Sequence, residues 1–194
     1  MKINIILAGV GGQGILTIAA VLDTAALASN LNLKQSEVHG MSQRGGAVQS
    51  HVRISDSAIY SDLIPQGKAD MIISVEPMEL LRYLPFLKKD GLLVTDSNPF
   101  NNITDYPELE ELYTEIKSYP NTILVDAKKL AKDLGNSRAT NIVLLGAASS
   151  QLPLSDESLQ QAIKTLFKRK GEKVVAKNIE AFNKGKEIAT AIIS

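Results

Sequence analysis

Residues 3–8 (INIILA) are apolar on both faces of an extended chain, which is typical of a strand buried inside a parallel sheet. A glycine-rich turn, GVGGQG, follows directly at residues 9–14. Between residues 13 and 29, alanine, leucine, isoleucine and valine outnumber the polar residues, which favours a helix packed closely on a sheet. The pattern therefore predicts that the chain opens with a strand, a glycine turn and a helix.

The pattern changes in the stretch AVQSHVRI, where apolar and polar residues alternate. Val48, Ser50, Val52 and Ile54 fall on one side of an extended chain. The turn SDS follows, and after it comes a second segment, SAIYSDLI. Two such segments around a turn are typical of antiparallel strands. We predict a hairpin over residues 47–64, inserted after the first strand and helix.

Three further apolar runs, ADMIISVE, LLVTDS and TILVDA, are typical of buried strands. The helices predicted around them are one that Pro77 opens, one through Leu134, an apolar one over residues 141–150, and two amphipathic ones after Ser155. Residues 98–121 are polar and contain prolines, so we interpret them as a surface excursion around a short helix.

These elements predict an α/β fold. The sheet is expected to be Rossmann-like, open and largely parallel, with helices on both faces and the antiparallel hairpin inserted. A chain of 194 residues with 44% hydrophobic content can bury one sizeable core. We therefore expect residues 1–194 to form a single domain.

Composition excludes several classes of function. The 21 basic and 21 acidic residues give a formal net charge of +0, so the positive field of a nucleic-acid binder is missing. The chain has no cysteine, so it cannot form a disulfide or hold an iron–sulfur cluster through thiolates. No run approaches the roughly 18 to 20 apolar residues that cross a bilayer, and the opening residues lack a cleavage signal. We expect a cytoplasmic protein that binds neither nucleic acid nor membrane.

The turn GVGGQG is the first candidate site. Its glycines satisfy G-x-G-x-x-G between a predicted strand and a predicted helix, which is the context of the dinucleotide fingerprint. Glycine lets the backbone approach a ligand closely, and the N–H groups at a helix start favour an anion. A P-loop is excluded, because Ile15 and Leu16 stand where it needs Lys and Ser or Thr. The candidate cofactor-binding residues are Gly9, Gly11, Gly12, Gln13 and Gly14.

The sequence lacks the second feature of a dinucleotide site, the acidic residue that binds ribose. An acidic residue about 20 positions beyond the glycines binds the ribose hydroxyls in that motif. The corresponding region reads NLK, and the nearest acid, Glu37, lies in the polar stretch KQSEVHG. We therefore predict that NAD binds weakly or not at all. A phosphate or cofactor contact of another kind and a purely structural turn both stay open.

The stretch HGMSQRGG is the second candidate site, because it combines glycines with many hydrogen-bond donors. Arg44 suits a carboxylate or a phosphate, since its planar guanidinium binds oxygens in pairs. The alternative is a solvated loop in which Arg44 pairs with a neighbouring acid. The candidate residues of this substrate or interface loop are His39, Ser42, Gln43, Arg44, Gly45 and Gly46.

The other polar residues do not predict a metal site or a catalytic group. His39 and His51 lack metal-ligand spacing, and no carboxylate cluster completes a site around them. Glu76 and Asp96 follow predicted strands, where open α/β sheets bind their ligands. We interpret these two acids as helix-start and turn residues.

The two motifs together resemble the small, beta- or gamma-type subunit of the 2-oxoacid:ferredoxin oxidoreductases, and in particular its indolepyruvate branch. The matching stretches are AGVGGQGILTIAAVL and EVHGMSQRGGAVQSHVRIS, and the pair is far more specific than either alone. The resemblance continues through ADMIISVEPMELLRYLPFLKKDGLLV and NIVLLGA. Residues 42–46 match the family motif position by position.

This resemblance implies an α/β module that assembles with a large, alpha-type subunit, and the expected complex is a heterotetramer. The large subunit would carry thiamine diphosphate and iron–sulfur (4Fe–4S) clusters, and this chain alone would bind no cofactor. The implied reaction is the oxidative decarboxylation of an aryl 2-oxoacid, with coenzyme A taking the acyl group and ferredoxin the electrons. The glycine turn would then contact a coenzyme A phosphate or the partner subunit.

Two other functions stay open on the sequence. One is a stand-alone NAD-binding Rossmann oxidoreductase, which would need the ribose-binding acid. The other is a non-catalytic, nucleotide-binding scaffold subunit, in which changes to the loop would leave turnover unaffected.

Overall fold

The computed structural model describes residues 1–39, 46–101 and 103–193. Within those residues the chain forms six strands and seven α-helices. The strands are β1 (Lys2–Val10), β2 (Asn32–His39), β3 (Ala47–Ser55), β4 (Ala69–Ser74), β5 (Leu87–Asp96) and β6 (Thr122–Val125). The helices are α1 (Ile15–Ala28), α2 (Pro77–Arg82), α3 (Leu109–Lys117), α4 (Ala127–Asp133), α5 (Thr140–Ala148), α6 (Asp156–Phe167) and α7 (Glu172–Ile193).

The described strands form a mixed sheet in the order β2-β3-β1-β4-β5-β6. Strands β1, β4, β5 and β6 run parallel to one another, and β3 runs antiparallel to both of its neighbours. In the centre, Ile5 of β1 pairs with Met71 of β4 on one side and with Val52 of β3 on the other. The predicted α/β class with a largely parallel sheet is confirmed.

The predicted hairpin over residues 47–64 is wrong in its second strand. Strand β3 forms as the alternation predicted, but its hairpin partner is β2, where Gln35 pairs with Val52. Residues 57–64 form no strand. The sequence of β2, NLKQSEVH, is polar because this strand lies at the edge of the sheet and is largely half-buried or exposed. It therefore lacks the apolar pattern by which a strand is recognised.

Residues 56–64 follow β3, and side chains of β3 bind their backbone groups, so that they do not pair as a second strand. The guanidinium of Arg53 donates to the carbonyl oxygens of Ser61 at 2.8 Å and Leu63 at 2.9 Å. The backbone N–H of Ile64 donates to Nδ1 of His51 at 2.9 Å. Backbone groups that pair with side chains in this way are not available to a strand partner. The segment therefore lies against β3 as an irregular loop.

Helices cover both faces of the sheet, as predicted. Alternate residues of β1 point to opposite faces, so that Ile5 and Leu7 pack against α1 and α4–α7 while Ile6 packs against α2 and α3. The predicted helix starts are also observed. Helix α2 begins at Pro77, and Ser155 caps α6 by accepting a hydrogen bond from the backbone N–H of Ser158 at 3.1 Å. Among the described residues, no helix has both the length and the apolar character needed to cross a membrane.

Helices α5 and α7 cross with their backbones in contact. A Cβ atom added at Gly185 of α7 would overlap the carbonyl oxygen of Val143 in α5. A Cβ atom added at Gly146 of α5 would likewise overlap the carbonyl oxygen of Phe182 in α7. This close approach of α5 and α7 therefore requires both glycines.

Asp23 is a half-buried carboxyl group on α1 whose ionisation opposes folding. Burial raises the pKa of Asp23 from its ordinary value of 3.8 to about 6, and its buried Oδ1 atom has no hydrogen-bond partner in the described part of the chain. Because the folded state holds this proton more tightly than the unfolded chain does, stability falls as the pH rises from about 4 to about 6. Above about pH 6 the ionised carboxylate of Asp23 destabilises the fold to its full extent.

We expect Asp23→Asn to raise the free energy of unfolding by about 1 kcal/mol at about pH 8 and by almost nothing at about pH 4. A shift of one pKa unit corresponds to about 1.4 kcal/mol, and partial solvent exposure of Asp23 reduces the destabilisation calculated from its shift. Urea titrations at the two pH values measure the difference. Asp105→Asn, at an exposed carboxylate, is the control. A gain from Asp23→Asn that is the same at both pH values would contradict the assignment.

Candidate functional site

The parallel strands β1, β4, β5 and β6 end at one edge of the sheet, where open α/β sheets bind their ligands. The glycine turn follows β1 at this edge. A cavity of about 840 Å³ lies there and is lined by Gly12, Gln13 and Gly14 together with residues that follow β4, β5 and β6 and residues of α7. Its volume is that of a small-molecule or cofactor site.

Gln13 closes the glycine turn. Its backbone N–H donates to the carbonyl oxygen of Val10 at 3.1 Å, and its side-chain Oε1 accepts from the N–H of Val10 at 2.7 Å. Gly12 and Gly14 have φ angles of 99° and 82°, in the left-handed region that favours glycine. The motif therefore builds a compact turn that aims the start of α1 into the cavity.

Asn141, at the start of α5, binds this turn although it lies 127 positions further along the chain. Its Nδ2 donates to the carbonyl oxygen of Gly14 at 2.9 Å, and its Oδ1 accepts from the N–H of Ile142 at 3.0 Å. A Cβ atom at Gly14 would lie 2.7 Å from Nδ2 of Asn141, so the contact needs glycine. Asn141 was not among the site residues predicted from the sequence. A buried asparagine opening an otherwise apolar helix was the available signal.

The electrostatics of the cavity favour an anion. Helix α1 has no acidic residue in its first turn, and no side chain among the described residues caps it at Gly14. Its dipole and N–H groups therefore stay available to a ligand. The described lining of the cavity includes three cations, Lys128, Arg138 and Lys170, against one carboxyl group, that of Asp96. These cations were also missed, because they lie far along the chain from the glycine motif. The available signal was a basic residue just before or just inside a helix at this edge.

Two aromatic residues, Phe100 and Phe167, line the cavity beside the polar groups. The ammonium of Lys170 lies 5.2 Å from the centroid of the Phe167 ring, a cation–π contact. Cations, free helix N–H groups and flat apolar rings together suit a ligand with phosphate groups and an aromatic base.

The acids at the strand ends have structural roles, as interpreted from the sequence. Asp96 is buried, and its Oδ1 accepts from Nδ2 of Asn98 at 2.9 Å and from the N–H of Ala127 at 3.1 Å. Burial raises the pKa of Asp96 above its ordinary value although these hydrogen bonds favour the carboxylate. Glu76 caps α2 by accepting from the N–H of Glu79 at 2.8 Å.

The structure brings the glycine turn next to the last residue of the second motif. The N–H of Gly11 donates to the carbonyl oxygen of Gly46 at 2.9 Å. His39 ends β2, where its backbone pairs with Val48. The remaining candidates of the second loop lie outside the described residues, and their roles stay predictions: Ser42, Gln43, Arg44 and Gly45.

The sheet order disfavours the dinucleotide fingerprint. In that motif the ribose-binding acid ends a parallel strand beside β1. Here the neighbour of β1 on that side is the antiparallel β3, and Ala47 pairs with Val10 at the relevant edge. Glu37 lies one strand further out on β2, opposite Ser50. The position that would recognise ribose is therefore the beginning of an antiparallel strand.

Comparison with known proteins assigns the family. The sequence profile described as pyruvate ferredoxin/flavodoxin oxidoreductase matches residues 4–188. The indolepyruvate oxidoreductase subunit IorB of Pyrococcus horikoshii is 40% identical over 201 residues, which cover 98% of each chain. This chain belongs to the pyruvate ferredoxin/flavodoxin oxidoreductase family. The resemblance to the small subunit of 2-oxoacid:ferredoxin oxidoreductases is thereby confirmed.

Solved structures of this oxidoreductase family share the fold. The gamma subunit of the keto/oxoacid ferredoxin oxidoreductase from Geobacter sulfurreducens is 28% identical, with a TM-score of 0.70 over 97% of this chain and 99% of that one. The 2-oxoglutarate:ferredoxin oxidoreductase from Magnetococcus marinus was solved with 2-oxoglutarate, coenzyme A and succinyl-CoA bound. It is 24% identical with a TM-score of 0.77, and this chain spans 31% of that longer one, so it shows the fold alone.

The iron–sulfur clusters that the family resemblance implies do not fit the residues of this chain. The sequence has no cysteine to supply thiolate ligands. In the part of the chain that the structure describes, no three His, Asp or Glu side chains are grouped so that they could hold a metal ion.

Proposed function

We propose that this chain is the small subunit of an indolepyruvate-type 2-oxoacid:ferredoxin oxidoreductase. The observation that carries the proposal is the 40% identity to an indolepyruvate oxidoreductase subunit over 98% of both chains. The aryl 2-oxoacid loses its carboxyl group as carbon dioxide, and its acyl group passes to the sulfur of coenzyme A, whose thiol proton is released. The two electrons pass to ferredoxin. Residues 1–194 act as one domain of a heterotetramer with the large subunit.

Thiamine diphosphate and the iron–sulfur clusters are proposed to belong to the large subunit. The absence of thiolate ligands in this chain supports that division. The chain contributes binding surface rather than reacting groups, because the two acids at the strand ends are already engaged in hydrogen bonds to helix starts.

The cavity at the carboxyl edge is proposed to bind coenzyme A. Its three cations and the uncapped start of α1 suit the phosphate groups, and its two phenylalanine rings suit the adenine. The Magnetococcus marinus enzyme, which shares this fold, was solved with coenzyme A and succinyl-CoA bound. Arg44 of the second motif is proposed to bind a carboxylate or phosphate group of the ligands, because its planar guanidinium binds oxygens in pairs.

Reconstitution with the large subunit tests the proposed function. We expect the purified chain alone to be colourless and inactive, and the complex to reduce ferredoxin or a dye when both 2-oxoacid and coenzyme A are present. Indole-3-pyruvate is expected to give the highest kcat/KM when compared with pyruvate and 2-oxoglutarate.

Two results would contradict this assignment. Turnover by the chain alone, freed of any larger subunit, would show that it is an independent enzyme. Equal turnover by the large subunit with and without this chain would show a scaffold that has no part in the reaction. Preference for another 2-oxoacid would change the substrate and leave the subunit assignment standing.

A further inference from the structure

Glu76 has a wider set of contacts than a helix cap requires. Its side chain is 0% exposed, and its Oε2 accepts from the N–H of Glu79 at the start of α2. Its Oε1 accepts from the N–H of Phe100 at 3.3 Å and from the hydroxyl of Tyr106. A buried carboxylate is costly unless donors satisfy it. Among the described residues, two of its three donors come from the segment between β5 and α3.

The identity of the cap residue agrees with this wider role. Asp, Asn, Ser and Thr are the preferred helix caps, because a short side chain reaches the helix N–H groups well. Glutamate is not among them. Its longer side chain lets Glu76 serve α2 with one oxygen and the neighbouring segment with the other.

Phe100 contacts both Glu76 and the cavity. The backbone N–H of Phe100 binds Glu76, while its partly exposed side chain lines the cavity. Two residues earlier, Nδ2 of Asn98 donates to Oδ1 of Asp96 at 2.9 Å and to Oδ1 of Asp126 at 2.8 Å. The chain is thereby fixed before and at Phe100 by buried or strand-end carboxylates.

We propose that Glu76 and Tyr106 are positioning residues that hold the Phe100 ring as a stacking wall for the adenine of coenzyme A. The inference rests on the proposed function for the identity of the ligand. Tyr106 donates its hydroxyl to Glu76 and packs its ring on the apolar cluster around Leu80, so it is anchored at both ends. Burial and the carboxylate of Glu76 raise the pKa of Tyr106, which keeps the hydroxyl a donor throughout the physiological range.

A double-mutant cycle in the reconstituted complex tests this proposal. Phe100→Ala removes the wall, and we expect the KM for coenzyme A to rise about tenfold with kcat changed less than about twofold, as for loss of one base-stacking contact. Tyr106→Phe removes only the hydroxyl, and we expect a KM increase of about three- to fivefold. In the Phe100→Ala background, Tyr106→Phe should add no further increase.

Tyr119→Phe is the matched control. Tyr119 packs on the same apolar cluster as Tyr106, and within the described residues its hydroxyl makes no hydrogen bond. It should leave the KM for coenzyme A unchanged. The positioning role is overturned if Tyr106→Phe has no effect, if it raises KM equally in both backgrounds, or if Tyr119→Phe has the same effect. A wild-type complex whose turnover does not depend on coenzyme A would instead overturn the proposed function together with this inference.

Discussion

Replacing Gly185 with alanine is expected to lower the free energy of unfolding by about 3 kcal/mol or more. Elsewhere in a helix the same change would stabilise by up to about 1 kcal/mol. Here the added Cβ atom would overlap the backbone carbonyl oxygen of Val143, and it would also lie 3.1 Å from the backbone N of Ala147. A backbone cannot turn aside as a flexible side chain can, so α5 and α7 would have to separate and lose packing between them. Urea unfolding, followed by far-UV circular dichroism, measures the loss.

Thr190→Ala on the exposed side of α7 is the control for this experiment. It introduces the same residue into the same helix, and we expect a change within about 0.5 kcal/mol. Gly146→Ala, on the facing helix, should resemble Gly185→Ala, because its Cβ atom would overlap the carbonyl oxygen of Phe182. Wild-type stability in both glycine variants would show that the two helices are not in backbone contact.

Gly14→Ala is expected to weaken coenzyme A binding at least tenfold, measured as Kd by calorimetry or as KM in the complex. Gly14 has a φ of 82°, which costs alanine roughly 1–2 kcal/mol. The added Cβ atom would also lie 2.7 Å from Nδ2 and 3.2 Å from Cγ of Asn141. Either the turn or Asn141 must move, and the N–H groups of α1 would then be misaligned with the ligand.

Gly67→Ala separates this effect from backbone strain. Gly67 has a φ of 68°, and among the described residues no atom beyond its own chain neighbours lies within 4 Å of the added Cβ. It precedes β4, at the opposite end of that strand from the cavity. We expect backbone strain to lower the free energy of unfolding by about 1 kcal/mol, with no change in coenzyme A binding. Equal effects of the two substitutions on Kd would show that the turn does not contact the ligand.

Local patterns predicted most of the secondary structure. The buried strand, the glycine turn and α1 followed from residues adjacent in the chain, and so did the start of α2 at Pro77 and the cap at Ser155. The short helix within residues 98–121 was also predicted correctly. In these segments the hydrophobic period and the capping residues are local properties, which a single sequence displays directly.

The partner of β3 was mispredicted because strand pairing is a non-local property. Strand β2 carries a polar sequence at the sheet edge, so its period gave no signal. The apolar segment after Ser55 had the better local pattern. However, Arg53 and His51 bind its backbone groups and prevent a ladder. Side-chain capture of backbone groups depends on the folded arrangement and leaves no trace in hydrophobic spacing.

By itself, the sequence determined the α/β class, the glycine turn, the lack of thiolate ligands and, through its paired motifs, the family. These properties depend on residue types and on short spacings. Only the tertiary structure decided which residues surround the turn. Asn141 lies 127 positions from Gly14, and Tyr106 lies 30 positions from Glu76. Contacts at such separations depend on how parallel strand ends and helix starts converge at one edge of the sheet, and that convergence follows from the pairing order of the strands rather than from any local pattern.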